Sequence, residues 1–241
     1  MPPTFLTMLS RVLTRVLHAA PPRPARSSVA MADLINALAA DLTPCSAPIF
    51  PKRLALGVGL GAAASTVLVG LILGYRPDLA ATSATGAFWA KLVYPIALST
   101  LALWCVEGLS RPGGDDRVRR QWLIAPILAV AAAACWRLLQ TPGPRVAAAI
   151  MGASAGYCPW LIALASLPPL AGLIWAVSGQ APTRLTATGA MVGLAAGGVG
   201  AAAYALHCTE SSLPFLAVWY TLGIVGAAFI GGVLGRMLLR W

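Results

Sequence analysis

Six long stretches almost free of charge constrain this chain more than any other feature. A helix needs ~20 mostly apolar residues to cross ~30 Å of hydrocarbon. Six runs meet or approach that length: 54–73, 87–109, 122–139, 160–177, 186–206 and 214–239. No alternating strand pattern competes with them, so the predicted fold class is all-α, a polytopic membrane bundle of six transmembrane helices. Composition agrees. Hydrophobic residues make up 59% of the chain and charged ones 10%, against about 25% charged in a soluble domain. With a mean hydropathy of +0.79, the apolar excess needs a bilayer to solvate it. Little chain is left over for a soluble enzyme domain.

The formal charge of +10 does not point to nucleic acid. Lys and Arg form no basic stripe interleaved with aromatics; they sit between apolar runs, where they orient helices in a membrane. With the N-terminus inside, the inner segments hold Lys52, Arg53, Arg111, Arg117, Arg119, Arg120, Arg184, Arg236 and Arg240. The outer segments hold Arg76, Lys91, Arg137 and Arg145. Cytoplasmic loops carry the Lys/Arg excess, so both termini are predicted cytoplasmic. The tryptophans agree, because Trp favours the interface. Trp89, Trp136, Trp160 and Trp219 fall near the outer surface, and Trp104, Trp122, Trp175 and Trp241 near the inner one.

Lipid tails give helices no hydrophobic reason to associate, so small residues must allow close contact. Gly57, Gly61 and Ser65 lie at four-residue spacing in the first run. Gly189, Gly193 and Gly197 do so in the fifth, and Gly223, Ala227, Gly231 and Gly235 in the sixth. Tight bundle packing is the expected use, ahead of a dimer face. Pro168-Pro169 in the fourth run predicts a kink, since neither can donate a backbone hydrogen bond. Glu107 and Lys91 lie near helix ends and are expected to snorkel. No Asp, Glu or His sits at mid-membrane, which argues against a proton-coupled transporter but leaves a passive pore open.

Residues 1–30 carry Arg11, Arg15, Arg23 and Arg26, no acid, and a Pro-rich tract at 21–24. They lack the apolar core of a secretory signal. This extension reads as a disordered tail, as a start placed upstream of a true start at Met31, or as a basic segment on the membrane surface. Residues 31–53 form a second unit. Leu34, Ile35, Leu38 and Leu42 share one helical face, with Asp33 and Asp41 off the stripe. Prolines from Pro44 to Pro51 then make a semi-rigid tether to the first run, and the bundle occupies 54–241. So short an amphipathic helix must dock on something: the bundle, a lipid surface or a groove in a partner.

Five cysteines are present, with no CxxC, so neither a thioredoxin-type pair nor a zinc ribbon is supported. Cys45 is placed in the cytoplasm, and Cys105 and Cys135 fall inside spans, where Cys behaves as a small hydrophobe. Cys158 and Cys208 fall at the outer face, one opening the fourth run and one following the fifth. Three readings stay open for them. They form a disulfide, they ligate a soft metal with His207 and Glu210 as extra ligands, or they only pack at helix ends.

The segment 203–210, Ala-Tyr-Ala-Leu-His-Cys-Thr-Glu, with Phe215, Trp219-Tyr220 and Leu222-Gly223-Ile224, resembles the NrsF family of bacterial membrane anti-sigma factors. The Met31-Ala-Asp-Leu-Ile opening and the Cys158-Pro159 step strengthen the resemblance, which covers residues 31–241. It implies a non-enzymatic inner-membrane protein that holds an extracytoplasmic-function (ECF) sigma factor. Release would follow when periplasmic cysteines sense heavy metals, such as chromate or cadmium, or redox stress. By position, Cys158 and Cys208 would be the sensing pair, with a transient metal ion and no resident cofactor. Asp33, Leu34, Ile35, Leu38, Asp41 and Leu42 would contact the sigma factor, with no direct role for nucleic acid. The chain departs from the family pattern in its extension and in Cys45, Cys105 and Cys135. The competing expectations are a small transporter or channel, for which few polar lining residues exist, and a membrane thiol oxidoreductase, which lacks a second outer cysteine pair.

Overall fold

The computed structural model describes residues 26–40, 49–111 and 117–240. Asp41, Leu42, Cys45, Trp241 and residues 1–25 of the extension lie outside the described residues. The chain divides into two units, Met1–Ala47 and Pro48–Trp241. In the first, α1 runs Arg26–Ala40. It therefore begins before Met31, because Ser27-Ser28-Val29-Ala30 holds neither Pro nor Gly to stop a helix. Met31, Leu34, Ile35 and Leu38 follow one another at helical spacing, and each is more than half exposed.

The regular structure of the second unit is all helical, with no strand among its described residues. Its elements are α2 (Ile49–Ile72), α3 (Leu79–Thr82), α4 (Gly86–Leu109), α5 (Arg117–Trp122), α6 (Ile124–Leu139) and α7 (Gly143–Met151). The chain continues through α8 (Cys158–Ala165), α9 (Leu167–Ser178), α10 (Leu185–Tyr204), α11 (Leu213–Phe215), a π-helical turn at Leu216–Tyr220 and α12 (Thr221–Leu238). Six helices among the described residues are long and apolar enough to cross a membrane: Phe50–Ile72, Gly86–Leu109, Arg117–Leu139, Cys158–Ser178, Leu185–Tyr204 and Leu213–Leu238. They match the six apolar runs. The third starts earlier than the hydropathy alone suggests, because Arg117–Trp122 is helical although polar.

The fifth span, α10, lies at the centre. Against α12 the two helices meet through backbone: a Cβ on Gly235 would stand 2.6 Å from Gly189 Cα, and one on Gly231 2.6 Å from Gly193 Cα. Only glycine permits that approach, which replaces the missing hydrophobic force with van der Waals contact. On another face, Gly198 touches the backbone of Pro95 in α4, and Ser99 Oγ donates to Ala195 O at 2.9 Å. On a third, Gly200 lies against Ser166 of the fourth span, where a Cβ would meet Ser166 N at 2.7 Å.

The fourth span does not bend smoothly. It breaks at Ser166, and Pro168-Pro169 occupy the first turn of α9. Prolines are tolerated there because first-turn N–H groups lack helical partners in any case. The expected kink is thus an interruption between two half-helices.

Candidate functional site

The site is built where α8, α10 and the loop after α10 meet the segment that follows α2 and the N-terminal part of α4. Cys158 opens α8, and its N–H is held by Ser154 O at 2.9 Å. Cys208 follows α10 by one turn, with its N–H on Tyr204 O at 3.0 Å. Their exposures are 0% and 3%, so both thiols are enclosed. Both are free, and they lie within electrostatic reach of one another. The fold therefore joins the two cysteines that the sequence placed at one end of the bundle.

Two aromatic rings wall the thiols. Tyr204 and Tyr220 are buried with centroids 6.0 Å apart. The Tyr220 hydroxyl is enclosed beside the Cys208 side chain, as the Tyr204 hydroxyl is beside that of Cys158. Tyr220 stands on the π-helical turn at Leu216–Tyr220, a local widening that often accompanies functional sites.

Two cations close the site. Lys91 is 2% exposed, and its Nζ donates to Cys208 O at 3.0 Å, with Cys208 Sγ 3.5 Å away. The snorkelling expected of Lys91 does not occur: its ammonium finds the Cys208 carbonyl inside the bundle instead of water. Arg76 Nη1 donates to the same carbonyl at 3.2 Å. Arg76 also forms a bidentate pair with Asp78, both bonds at 2.7 Å. The hydrogen bond to Asp78 raises the guanidinium pKa further. In return Arg76, then Thr82, hold the Asp78 carboxyl well below the usual carboxylate range.

The chain around Arg76 straps the cysteine loop. Arg76 N–H donates to Leu206 O at 3.1 Å, and His207 Nδ1 is 2.8 Å from Gly74 O. Gly74 has φ +76°, the left-handed region that lets the chain turn sharply after α2. Glu210 faces another way. Its Oε1 accepts the Ala153 N–H at 2.7 Å, beside Gly152 at φ +54°. His207 and Glu210, the two extra ligand candidates, are thus engaged with backbone groups. Among the described residues no group of three or more His, Cys, Asp or Glu side chains comes together. The enclosed groups are two thiols with the Tyr204 and Tyr220 hydroxyls beside them, and the thiols suit a soft ion better than a hard one.

Sequence alone assigned Arg76, Lys91, Tyr204 and Tyr220 no place at the thiol site: the two cations counted as outer charges and the two tyrosines entered only with the family resemblance. The available signal was weak: a Lys flanked by apolar residues inside a run, and two tyrosines near the cysteines. Cys105 is buried and Cys135 exposed, each within its span. Asp33, Leu34, Ile35 and Leu38 all lie on α1, apart from the thiol site in the chain.

Fold and site together define a polytopic helical bundle of membrane-spanning proportions, with an enclosed thiol pair at one end. The chain belongs to the NrsF family, whose profile, described as negative regulator of sigma F, matches residues 38–241. It is 42% identical over 212 residues to the anti-sigma-F factor NrsF of Caulobacter vibrioides, covering 87% of this chain and 98% of that protein. It is 36% identical over 209 residues to a probable anti-sigma-F factor NrsF of Azospira oryzae, with the same coverages. No solved structure matches. The family is regulatory and not catalytic.

Proposed function

We propose that this protein is an inner-membrane anti-sigma factor that sequesters an ECF sigma factor and releases it when Cys158 and Cys208 meet heavy metal or redox stress. The observation that carries the reading is the enclosed thiol pair in a chain of the NrsF family. The pair supports either chemistry. The two thiols give up their protons and bind a soft metal ion as thiolates, or they oxidise to a disulfide with loss of two electrons and two protons to an oxidant. For a metal, Cys158 and Cys208 would supply the sulfur ligands. The chain's own contribution is to keep the thiols dry and to place Lys91 beside Cys208.

The cysteine end is the periplasmic face in this reading. The Lys/Arg excess of the opposite segments supports that orientation. The sigma-binding residues are Asp33, Leu34, Ile35 and Leu38 of α1, with Asp41 and Leu42 next in the sequence. The apolar stripe of Leu34, Ile35 and Leu38 is exposed, as an anchor for a partner groove requires.

Two experiments test the proposal. Deletion of residues 31–53 is expected to abolish co-purification of the cognate sigma factor; undiminished binding refutes the assigned contact. The double variant Cys158→Ser, Cys208→Ser is expected to lose the transcriptional response to cadmium or chromate. A normal response in that variant refutes the sensing role.

A further inference from the structure

Thiols at one end of a bundle can act on the other end only through elements that touch both. The first span, Phe50–Ile72, is tied to each cysteine-bearing segment. Just beyond its outer end, Gly74 O meets His207 Nδ1 at 2.8 Å, Arg76 N–H meets Leu206 O at 3.1 Å and Arg76 Nη1 meets Cys208 O at 3.2 Å. Deeper in the bundle, Ser65 Oγ donates to Ala165 O at 2.7 Å, with both residues buried.

The second tie has a specific cause. In a helix Ala165 O would accept the N–H of residue 169, but that residue is proline and has none. The carbonyl at the break is therefore left open by its own helix. Ser65, a hundred residues earlier in the chain, closes it. The helices are close enough because Gly61 touches Pro169, and Gly57 meets Gly172 one turn further, where a Cβ would stand 2.5 Å from Gly172 O. Thus α8, which starts with Cys158, ends on a carbonyl held by the first span. The ladder break lets α8 shift as a rigid half-helix without bending α9.

We propose that the first span transmits a change at Cys158 and Cys208 to the opposite end of the bundle, and that the Ser65–Ala165 hydrogen bond is the joint through which α8 drives it. This rests on the sensing role proposed above. A shift of Cys158 toward or away from Cys208 moves α8. Keeping the buried bond to Ala165 O satisfied requires Ser65, and with it the first span, to follow. Along the sequence, that span follows α1 and the proline-containing segment after it.

The test uses the full chain in nanodiscs, with Cys135→Ser to silence an exposed thiol and Cys45→Ser to take a further thiol out of the reaction. The outer thiols are modified with methyl methanethiosulfonate, and a Cys158→Ser, Cys208→Ser chain serves as control. Tryptic cleavage at Lys52-Arg53 is followed through the fragment that begins at Leu54. Modification is expected to change the cleavage rate at least about fivefold, the low end of measured couplings between sites. Ser65→Ala and, separately, Pro169→Ala are expected to bring that change below about twofold. Pro169→Ala restores an N–H that can close Ala165 O within its own helix, so it uncouples the joint without leaving a buried carbonyl open. It therefore decides the matter if Ser65→Ala fails to fold. A wild-type-sized change in either folded variant overturns the proposal, as does the absence of any change in the unsubstituted joint. The same nanodiscs loaded with sigma factor are exposed to cadmium. No release by cadmium, with the thiol-driven cleavage change intact, removes the sensing role and leaves the joint standing.

Discussion

Gly235→Ala is the sharpest probe of how this bundle holds together. The added Cβ would stand 2.6 Å from Gly189 Cα, 2.8 Å from Leu185 O and 3.1 Å from Gly189 N. All three are backbone atoms of α10, so no side chain can turn aside. Ordinary carbon contacts begin near ~3.5 Å, so the two helices must part locally by about 0.9 Å. Overpacking of this kind costs ~1–3 kcal/mol, and separation along a glycine seam also forfeits dispersion contacts. Gly226→Ala supplies the control. It lies on the same helix, and a Cβ there meets nothing within 4 Å. Its expected effect is under about 0.5 kcal/mol, with alanine's better helix propensity working in its favour. The assay is denaturant-driven unfolding of the purified protein in mixed micelles, read by tryptophan fluorescence. Equal stability of the two variants would refute the argument that the glycine seam between α10 and α12 is the main clamp of the fold.

Three further outcomes follow from the site. Alkylation by an apolar maleimide in detergent should reach exposed Cys135 first, with Cys158 and Cys208 at least about tenfold slower, as an opening cost of ~1.4 kcal/mol or more implies; mass spectrometry of timed digests reads the order. The Asp78 carboxyl is held below its usual range, so its contribution to folding is complete above about pH 4–5 and is lost only as pH falls through its lower folded value. Thermal unfolding of Asp78→Asn should therefore lack part of the acid limb that the parent shows, and an unchanged limb would show that the Arg76 strap contributes nothing there. Gly152→Ala places a side chain at φ +54° and against the Glu210 carboxyl at 2.8 Å, and should lower stability by ~1–2 kcal/mol in the same unfolding assay.

Much of the architecture was legible because bilayer thickness imposes a length on each apolar run. The six runs reappear as six helices, and glycine spacing in the fifth and sixth reappears as a backbone seam. Pro168-Pro169 announced a break, although the sequence could not show that the prolines begin a second half-helix. Lys91 was misread: its place near a helix end suggested snorkelling, and the structure instead buries it against Cys208. Nothing in the residues around position 91 names a carbonyl 117 positions later in the chain as its partner. The same holds for Arg76, which counted as one more outer charge until the fold set it across the cysteine loop.

Local composition and spacing thus determined the number of spans, which faces are small, and that two cysteines share an end. These depend on near neighbours along the chain, where helix geometry and lipid solvation act alike in any fold. Tertiary structure alone decided that the thiols are enclosed, that Lys91 and Arg76 share the Cys208 carbonyl, and that Ser65 closes the carbonyl Pro169 leaves open. Those contacts depend on which helix stands beside which, and side-chain hydrogen bonds between distant segments form only once close packing has chosen the neighbours.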